Sequence, residues 1–297
     1  MPVTTVPTIA ELRDRLDAVR RDGCTVGFVP TMGFLHEGHA SLMRAARADC
    51  DVVVTSIFVN PLQFAANEDL DAYPRDLTGD TALAEREGVD LLLVPSTREM
   101  YPTSVLTTVS VAEVSSPLEG RTRPTHFDGV ATVVTKLFSI VGPCRAYFGD
   151  KDFQQLAVVR RLTADLSLPV EVVGCPTVRE DDGLAMSSRN AYLSEAERAA
   201  APVVYRSLQA GLAAIASGQR DPSSVRAAMA ALIDAEPLAE LDYADVVDAA
   251  TFAVPDPLDG TLRLLVAARF GGARLIDNVG ATVGATAEAA STEREQT

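Results

Sequence analysis

Residues 25–47, TVGFVPTMGFLHEGHASLMRAAR, constrain the fold of this chain more than any other stretch. The segment opens as an apolar run over residues 26–29. Pro30 has no N–H to give to a sheet ladder, so the strand should end there. A turn containing Gly33 follows. A helical pattern then carries Leu42, Met43, Ala45 and Ala46 among polar neighbours. Within the turn stands His36-Glu37-Gly38-His39. A strand feeding a turn and then a helix is the first half of a βαβ unit. Its helix N-terminus offers unpaired N–H groups and the positive end of a dipole, which suit a phosphate. Gly38 lets a ligand approach the backbone closely. The two imidazoles, three residues apart, can face one ligand from the same side of the first turn.

The same alternation continues along the chain. Residues 9–21 read as an amphipathic helix with Thr8 and Glu11 as a capping box. Residues 51–60, DVVVTSIFVN, are too apolar for a one-sided sheet and suit a parallel strand covered on both faces. Residues 61–64 open a long polar loop through Asp71 and Tyr73 to Asp76, and loops at the carboxyl ends of parallel strands are where ligands sit in such folds. A helix at 78–87, a buried strand at 91–94 and a weakly alternating edge strand at 105–111 follow. Then come a helix at 127–141 closed by Gly142-Pro143, a strand at 145–148, a helix at 152–167 and a strand at 170–173. Beyond 180 the pattern changes. Residues 181–183 are a turn and 186–190 a polar loop. Ser194 and Glu197 cap a long Ala-rich helix to 217. Pro222 sits at N1 of a helix to 235, and short strands lie near 244–247, 262–268 and 274–276. This order predicts an α/β fold. Residues 1–180 form a Rossmann-like, doubly wound parallel sheet, and residues 181–284 a smaller C-terminal α+β domain. The Ala/Glu/Thr-rich residues 285–297 are read as a disordered tail.

Composition narrows the function classes. A chain of 297 residues with 47% hydrophobic content can bury a real core, and a net charge of -15 argues against a general nucleic-acid or membrane surface. No basic stretch followed by an apolar core marks a signal peptide, and no uncharged run approaches the roughly 20 residues of a membrane span. The four cysteines, Cys24, Cys50, Cys144 and Cys175, form no C-x-x-C pair, and reduced thiols in a cytoplasmic protein are the reading taken.

Three constellations carry chemistry. His36 and His39 favour phosphate recognition over two surface imidazoles. A zinc site is disfavoured, because H-E-G-H lacks the i, i+4 spacing of H-E-x-x-H and Gly38 breaks the helix that motif needs. Gly149-Asp150-Lys151-Asp152 repeats the geometry at a second strand end, with Lys151 as a mobile cation. Alone it is a common turn. Met186-Ser187-Ser188-Arg189 offers two hydroxyls and a guanidinium, a phosphate clamp or else a solvated turn. Gln63, Gln155 and Asn60 are amides able to orient a carboxylate or hydroxyl.

Taken together, the segments PTMGFLHEGH, SIFVNPLQF, DLDAYPRD, RPTHFDGV, YFGDKDFQQL, PTVRE and LAMSSRNAYLS resemble, in order and spacing, the pantothenate synthetase (pantoate–β-alanine ligase) family. That family lies within the H-x-G-H nucleotidyltransferase superfamily, whose K-M-S-K-S loop residues 186–190 resemble. The matched segments span roughly residues 25–195, and LRLLVAARFGGARLIDN resembles the family's C-terminal region. Three positions depart from it. Phe34 stands where a small residue is usual, Asp150 where Glu or Gln is frequent, and Phe153 where Tyr is frequent. The resemblance implies a two-step ligation: pantoate attacks the α-phosphate of ATP, then β-alanine attacks the acyl adenylate. It implies catalytic roles for His36, His39, Lys151, Ser187, Ser188 and Arg189, with His39 as proton donor. The ATP contacts it implies begin with Met32, Gly33, Phe34, Leu35, His36, Glu37, Gly38 and His39. They continue with Gly149, Asp150, Lys151, Asp152, Val178, Met186, Ser187, Ser188 and Arg189. Gln63 and Gln155 would hold pantoate, and Gln63 would also meet β-alanine. Mg²⁺ would arrive with ATP, with no protein ligand assigned although Asp80 is an acidic candidate. A homodimer formed through the N-terminal domain is implied as well.

Rival classes make different demands. An adenylyltransferase whose product keeps the nucleotide would release no AMP. A tRNA-charging enzyme would want a basic surface. A nucleotide sensor need not keep both histidines, the lysine and the Ser-Ser-Arg loop together. A Rossmann dehydrogenase would carry G-x-G-x-x-G in its first turn, which this chain lacks.

Overall fold

The computed structural model describes residues 2–65, 70 and 72–284. Asp71 and the tail assigned to 285–297 lie outside the described residues. The chain divides into two compact units, Met1–Asp181 with Ala185–Ala191, and Asp182–Leu184 with Tyr192–Thr297.

In the first unit the elements run β1 (Thr4–Val6), α1 (Ile9–Arg21), β2 (Val26–Thr31), α2 (Glu37–Asp49), β3 (Val52–Ile57), α3 (Leu77–Arg86) and β4 (Leu91–Leu93). Short helices α4 (Thr97–Met100) and α5 (Glu119–Thr122) precede α6 (His126–Val141), β5 (Cys144–Gly149), α7 (Phe153–Asp165) and β6 (Val170–Cys175). Six strands form one sheet in the order β1-β4-β3-β2-β5-β6, and every pairing is parallel.

Alternate strand residues point to opposite faces, and both faces are covered. Phe28, Val54, Leu91 and Leu93 pack with Leu12 and Leu16 of α1 and with Val134 and Phe138 of α6. Val29, Val53 and Leu92 pack with Leu42, Met43 and Ala46 of α2 and Ala84 of α3. This two-sided burial is why the strands read as unbroken apolar runs. Each fully buried Leu or Phe contributes on the order of 1.5–3 kcal/mol.

Pro30 does not end β2, which pairs with β3 as far as Thr31 opposite Ile57. The carbonyls of Thr25 and Thr31 accept from Val52 and Phe58 on the β3 side, so the nitrogen of Pro30 faces the β5 side. There β2 pairs only at Gly27 and Phe28, and a missing N–H costs nothing beyond that register. The expected edge strand at 105–111 is extended chain outside every strand. The edge beside β4 is already taken by β1, with Thr4 opposite Leu91. The Thr8 cap is half a box: its hydroxyl accepts from the Glu11 N–H, while the Glu11 carboxylate turns to Arg15.

The second unit holds α8 (Glu195–Ala200), α9 (Val203–Ala216), α10 (Pro222–Asp234) and the strands β7 (Glu240–Asp248), β8 (Gly260–Phe270) and β9 (Ala273–Val283). The strands form an antiparallel sheet in sequence order. Leu208 of α9, Met229 of α10 and Leu264 of β8 meet in its core. Ser194 and Glu197 make the anticipated capping box. The single long helix is instead two, because Pro202 cannot donate to the preceding turn and becomes the cap of α9.

A candidate nucleotide and acid cleft at the strand ends

The strand order reverses beside β2: β3 and β4 lie to one side, β5 and β6 to the other. Crevices at the carboxyl ends of such strands are where α/β folds place ligands. A cleft opens there, lined by Thr31 from β2, Gly149 from β5 and Pro176, Thr177 and Val178 after β6. His36, Gly38 and His39 of the β2–α2 connection line it, as do Lys151 and Asp152. So do Met186, Ser187, Ser188 and Arg189, held by hydrogen bonds from Met186 N–H to the Val178 carbonyl and from Asn190 Nδ2 to the Ala185 carbonyl. Met32, Gln63 and Gln155 complete the set of sequence-derived residues around this one cleft.

Five others do not line it. Gly33 is buried, and Leu35 packs against the α2–α3 core. Phe34 sits in the turn at φ 51, which accounts for the small residue usual at that position. The Glu37 carboxylate pairs with Arg44. Asp150 lies over Gly174 beside Arg160.

The histidines are a helix cap as well as cleft residues. His36 is the N-cap of α2: its Nδ1 accepts from the Gly38 N–H at 3.1 Å, and the Nδ1 of His39 accepts from the His36 N–H at 3.2 Å. Gly38 therefore lies inside the helix and does not break it. A Cβ there would meet the His36 ring at 2.9 Å, so the space left by glycine is filled by the imidazole. An accepting Nδ1 carries no proton, so each neutral ring keeps its hydrogen on Nε2. Burial, with the Lys151 ammonium beside it, pushes His36 down to about 4. Burial and then His36 itself push His39 down to about 3. Near neutral pH both rings are therefore neutral and present N–H dipoles. The positive charge of the cleft belongs to Lys151 and Arg189. Burial raises the Asp152 carboxyl, but Lys151, Arg189 and His126 outweigh it and hold the group below the ordinary carboxylate range.

Gln63 is placed by close packing. It ends a single 3₁₀ turn, Pro61–Gln63, laid against α6 at Gly129, where a Cβ would strike the Leu62 carbonyl at 2.2 Å. Asn60, buried behind it, orients the amide. Asn60 Oδ1 accepts from the Tyr101 hydroxyl and the Leu62 N–H, and its Nδ2 donates to the Gly129 carbonyl and to Gln63 Oε1. Gln63 Nε2 donates to the Met32 sulfur and is left as the donor side of the amide. The neighbouring Gln154 is structural, tying Val114, Pro117 and Glu119 together, while Gln155 lines the cleft.

Sequence reasoning missed the apolar wall. Val130, Val133, Val134 and Leu137 of α6 line the cleft beside Phe58; in the sequence they are indistinguishable from ordinary core positions. It also missed what holds the β2–α2 turn. Asp80, in the first turn of α3 and 3% exposed, accepts from the Phe34 N–H at 2.9 Å and the Leu35 N–H at 2.6 Å. Burial raises its carboxyl above the ordinary range, against the pull of those two donors. From the other side Ser188 Oγ donates to the Phe34 carbonyl at 3.2 Å. One clamp hydroxyl is thus a fold contact. Among the described residues no cluster of three or more His, Cys, Asp or Glu side chains could hold a metal ion.

Known proteins share this architecture and sequence. The family model described as pantoate-beta-alanine ligase matches residues 4–280. The chain is 50% identical over 277 residues to a pantothenate synthetase of Caldicellulosiruptor bescii, covering 93% of this chain and 98% of the relative. The crystal structure of pantothenate synthetase from Thermus thermophilus matches with a TM-score of 0.88 at 50% identity, covering 93% of this chain and 99% of that one. A pantoate-beta-alanine ligase from Francisella tularensis, complexed with beta-gamma ATP and β-alanine, matches at 32% identity with a TM-score of 0.78, covering 93% and 97%. The chain belongs to the pantoate-beta-alanine ligase family.

Proposed function

We infer that this chain condenses pantoate and β-alanine to pantothenate at the expense of ATP, through a pantoyl adenylate. The observation that carries the reading is one cleft joining a phosphate-directed half to an amide-and-apolar half. The Francisella relative, complexed with beta-gamma ATP and β-alanine, supports it.

The geometry suits each step. A pantoate carboxylate oxygen attacks the α-phosphorus, and the bond from that phosphorus to the bridging oxygen breaks to release pyrophosphate. Charge builds on phosphate oxygens, where preorganised N–H dipoles and cations are most effective. His36 and His39 Nε2–H, Lys151, Ser187 and Arg189 are assigned that role. Ser188 ties the clamp to the β2–α2 turn. Gln63 and Gln155 orient the acid, and the Val130–Val134 side of α6 covers its dimethyl carbon. The β-alanine amine then attacks the acyl carbon near Gln63. The bond from that carbon to AMP breaks, and the amine loses a proton. Mg²⁺ bound with ATP would offset phosphate charge, and none of the described cleft residues is assigned to hold it. Among the described lining residues Asp152 is the only acidic one, and the Asp80 oxygens already serve the turn. No described helix is long and apolar enough to cross a membrane, and a cytoplasmic location is part of the proposal.

The order of steps is tested by isotope exchange from labelled pyrophosphate into ATP. No cysteine lines the cleft, so no thiol carrier is at hand and the acyl group rides on AMP. Exchange is expected with pantoate alone and absent with β-alanine alone. Exchange that needs β-alanine would indicate a concerted reaction and overturn the proposed order.

A homodimer built on the first unit is also proposed. Residues 102–108 are exposed without interruption, and within them Val105 and Leu106 are 39% and 94% exposed; adjacent bare apolar side chains on an exposed segment suit a protein interface. Light scattering should give twice 31.5 kDa, and Leu106→Lys should shift the equilibrium towards monomer. A concentration-independent monomer of the unaltered chain would refute the assembly.

A further inference from the structure

The β2–α2 turn is tied locally only at its ends, by Gly33 N–H to Thr31 Oγ1 at 3.2 Å and His36 N–H to His39 Nδ1 at 3.2 Å. Both N–H groups in its middle go to one carboxylate, Asp80, which arrives from α3 and is almost wholly buried. Each oxygen takes one N–H, and hydrogen bonds to an ionised acceptor are roughly twice as strong as neutral ones. They hold Phe34 at φ 51, a conformation that a bulky residue disfavours on its own. The residue after Leu35 is His36, the cap of α2. Where the turn sits therefore decides where the first turn of α2 begins. Ser188 grips the Phe34 carbonyl from the opposite side, so Asp80 also sets the seat of the Met186–Arg189 loop.

We propose that Asp80 is a positioning residue for nucleotide binding: its buried carboxylate fixes the turn at Phe34 and Leu35 and so aims both the α2 N-terminus and the serine loop at the phosphates. This rests on the ATP reading of the cleft. The carboxylate touches no substrate; it acts through backbone. An amide of the same shape cannot replace it, because one of its two ends is a donor and would meet an N–H.

The unaltered protein gives the first test. Phe34 and Leu35 amide protons should exchange slowly with solvent, and exchange at open-loop rates would overturn the proposal before any variant is made. The second test is a cycle of four proteins: unaltered, Asp80→Asn, Phe34→Gly and the double variant. In pantoate-supported pyrophosphate exchange, Asp80→Asn should lower kcat/KM for ATP by about 10- to 100-fold, the scale of a small misplacement. KM for pantoate should be unchanged. Glycine accepts a positive φ freely, so Phe34→Gly added to Asp80→Asn should restore part of the loss and any loss of folding. A merely structural role would raise both KM values together and show no rescue; either outcome overturns the proposal. Failure of the underlying ATP reading would look different, since the unaltered protein would then release no AMP.

Discussion

Lys151→Ala should lower pantoate-supported pyrophosphate exchange by about 10²–10³-fold, the loss seen when one charge-stabilising donor is removed from a reacting oxyanion. The ammonium lies 3.4 Å from Asp152 Oδ1 and its side chain is 18% exposed, so it is held near the cleft but not locked in a buried pair. Asp152 stays ionised because Lys151, Arg189 and His126 surround it. That arrangement keeps the cation over the cleft before phosphate arrives. With both histidines neutral, the cleft relies on Lys151 and Arg189 for positive charge, so the remaining N–H dipoles cannot make up the loss. Lys151→Arg should also be poor, since a planar fork does not reproduce a compact point charge on a flexible stem. Removing the lysine should leave the thermal midpoint nearly unchanged, because a part-exposed ion pair contributes about 0–1 kcal/mol. Exchange near the unaltered rate in Lys151→Ala would sink the assignment of this cleft to phosphate chemistry.

Much of this architecture was legible because parallel strands buried on both faces leave unbroken apolar runs, as in residues 52–57. The turn-and-helix stretch at 25–47 likewise points to the cleft from residue types alone. What escaped has physical reasons. β1 is three residues long, TTV, too short for periodicity to register. Its presence closes the edge that 105–111 was expected to fill. Pro30 misled because a proline is harmful in a strand only where a partner needs its N–H, which depends on register. The α6 wall looks like core, since a valine facing a cleft and a valine facing a neighbour obey the same pattern. Asp80 is separated by 46 residues from the backbone it holds, and side chain-to-backbone contacts at such range leave no trace in spacing. The histidines read as ligands of phosphate because imidazole is not a usual helix cap; only the geometry of Nδ1 reveals that they are also each other's scaffold.

His39→Ala should likewise lower exchange about 10²–10³-fold, and the choice of replacement separates two mechanisms. An alanine removes the Nε2–H donor and also the acceptor for the His36 N–H, which costs about 1 kcal/mol of capping. Glutamine at the third helical position can accept that N–H, as in an ordinary capping box, and still offers a neutral N–H. His39→Gln should therefore recover much of the activity if a neutral donor is what the reaction needs, and none if an imidazolium must give up a proton. The pH profile makes the same distinction. With His36 at about 4 and His39 at about 3, against an ordinary value near 6.5, both rings stay neutral from about pH 6 to 8, and exchange should be flat across that range as far as these groups govern it. Below pH 6.5 the unfolded chain binds protons that the folded chain refuses until pH 4 to 3. Stability from these groups is thus full above 6.5 and falls as pH drops through that window. Protonating His36 at Nδ1 also breaks its bond to the Gly38 N–H, so the cap and the activity should fail together at the acid end. Carbon-13 NMR of the three imidazoles reads this directly. A ring of the His36–His39 pair titrating near 6.5, or exchange that declines as pH rises through that value, would restore the imidazolium mechanism and remove the neutral-donor one.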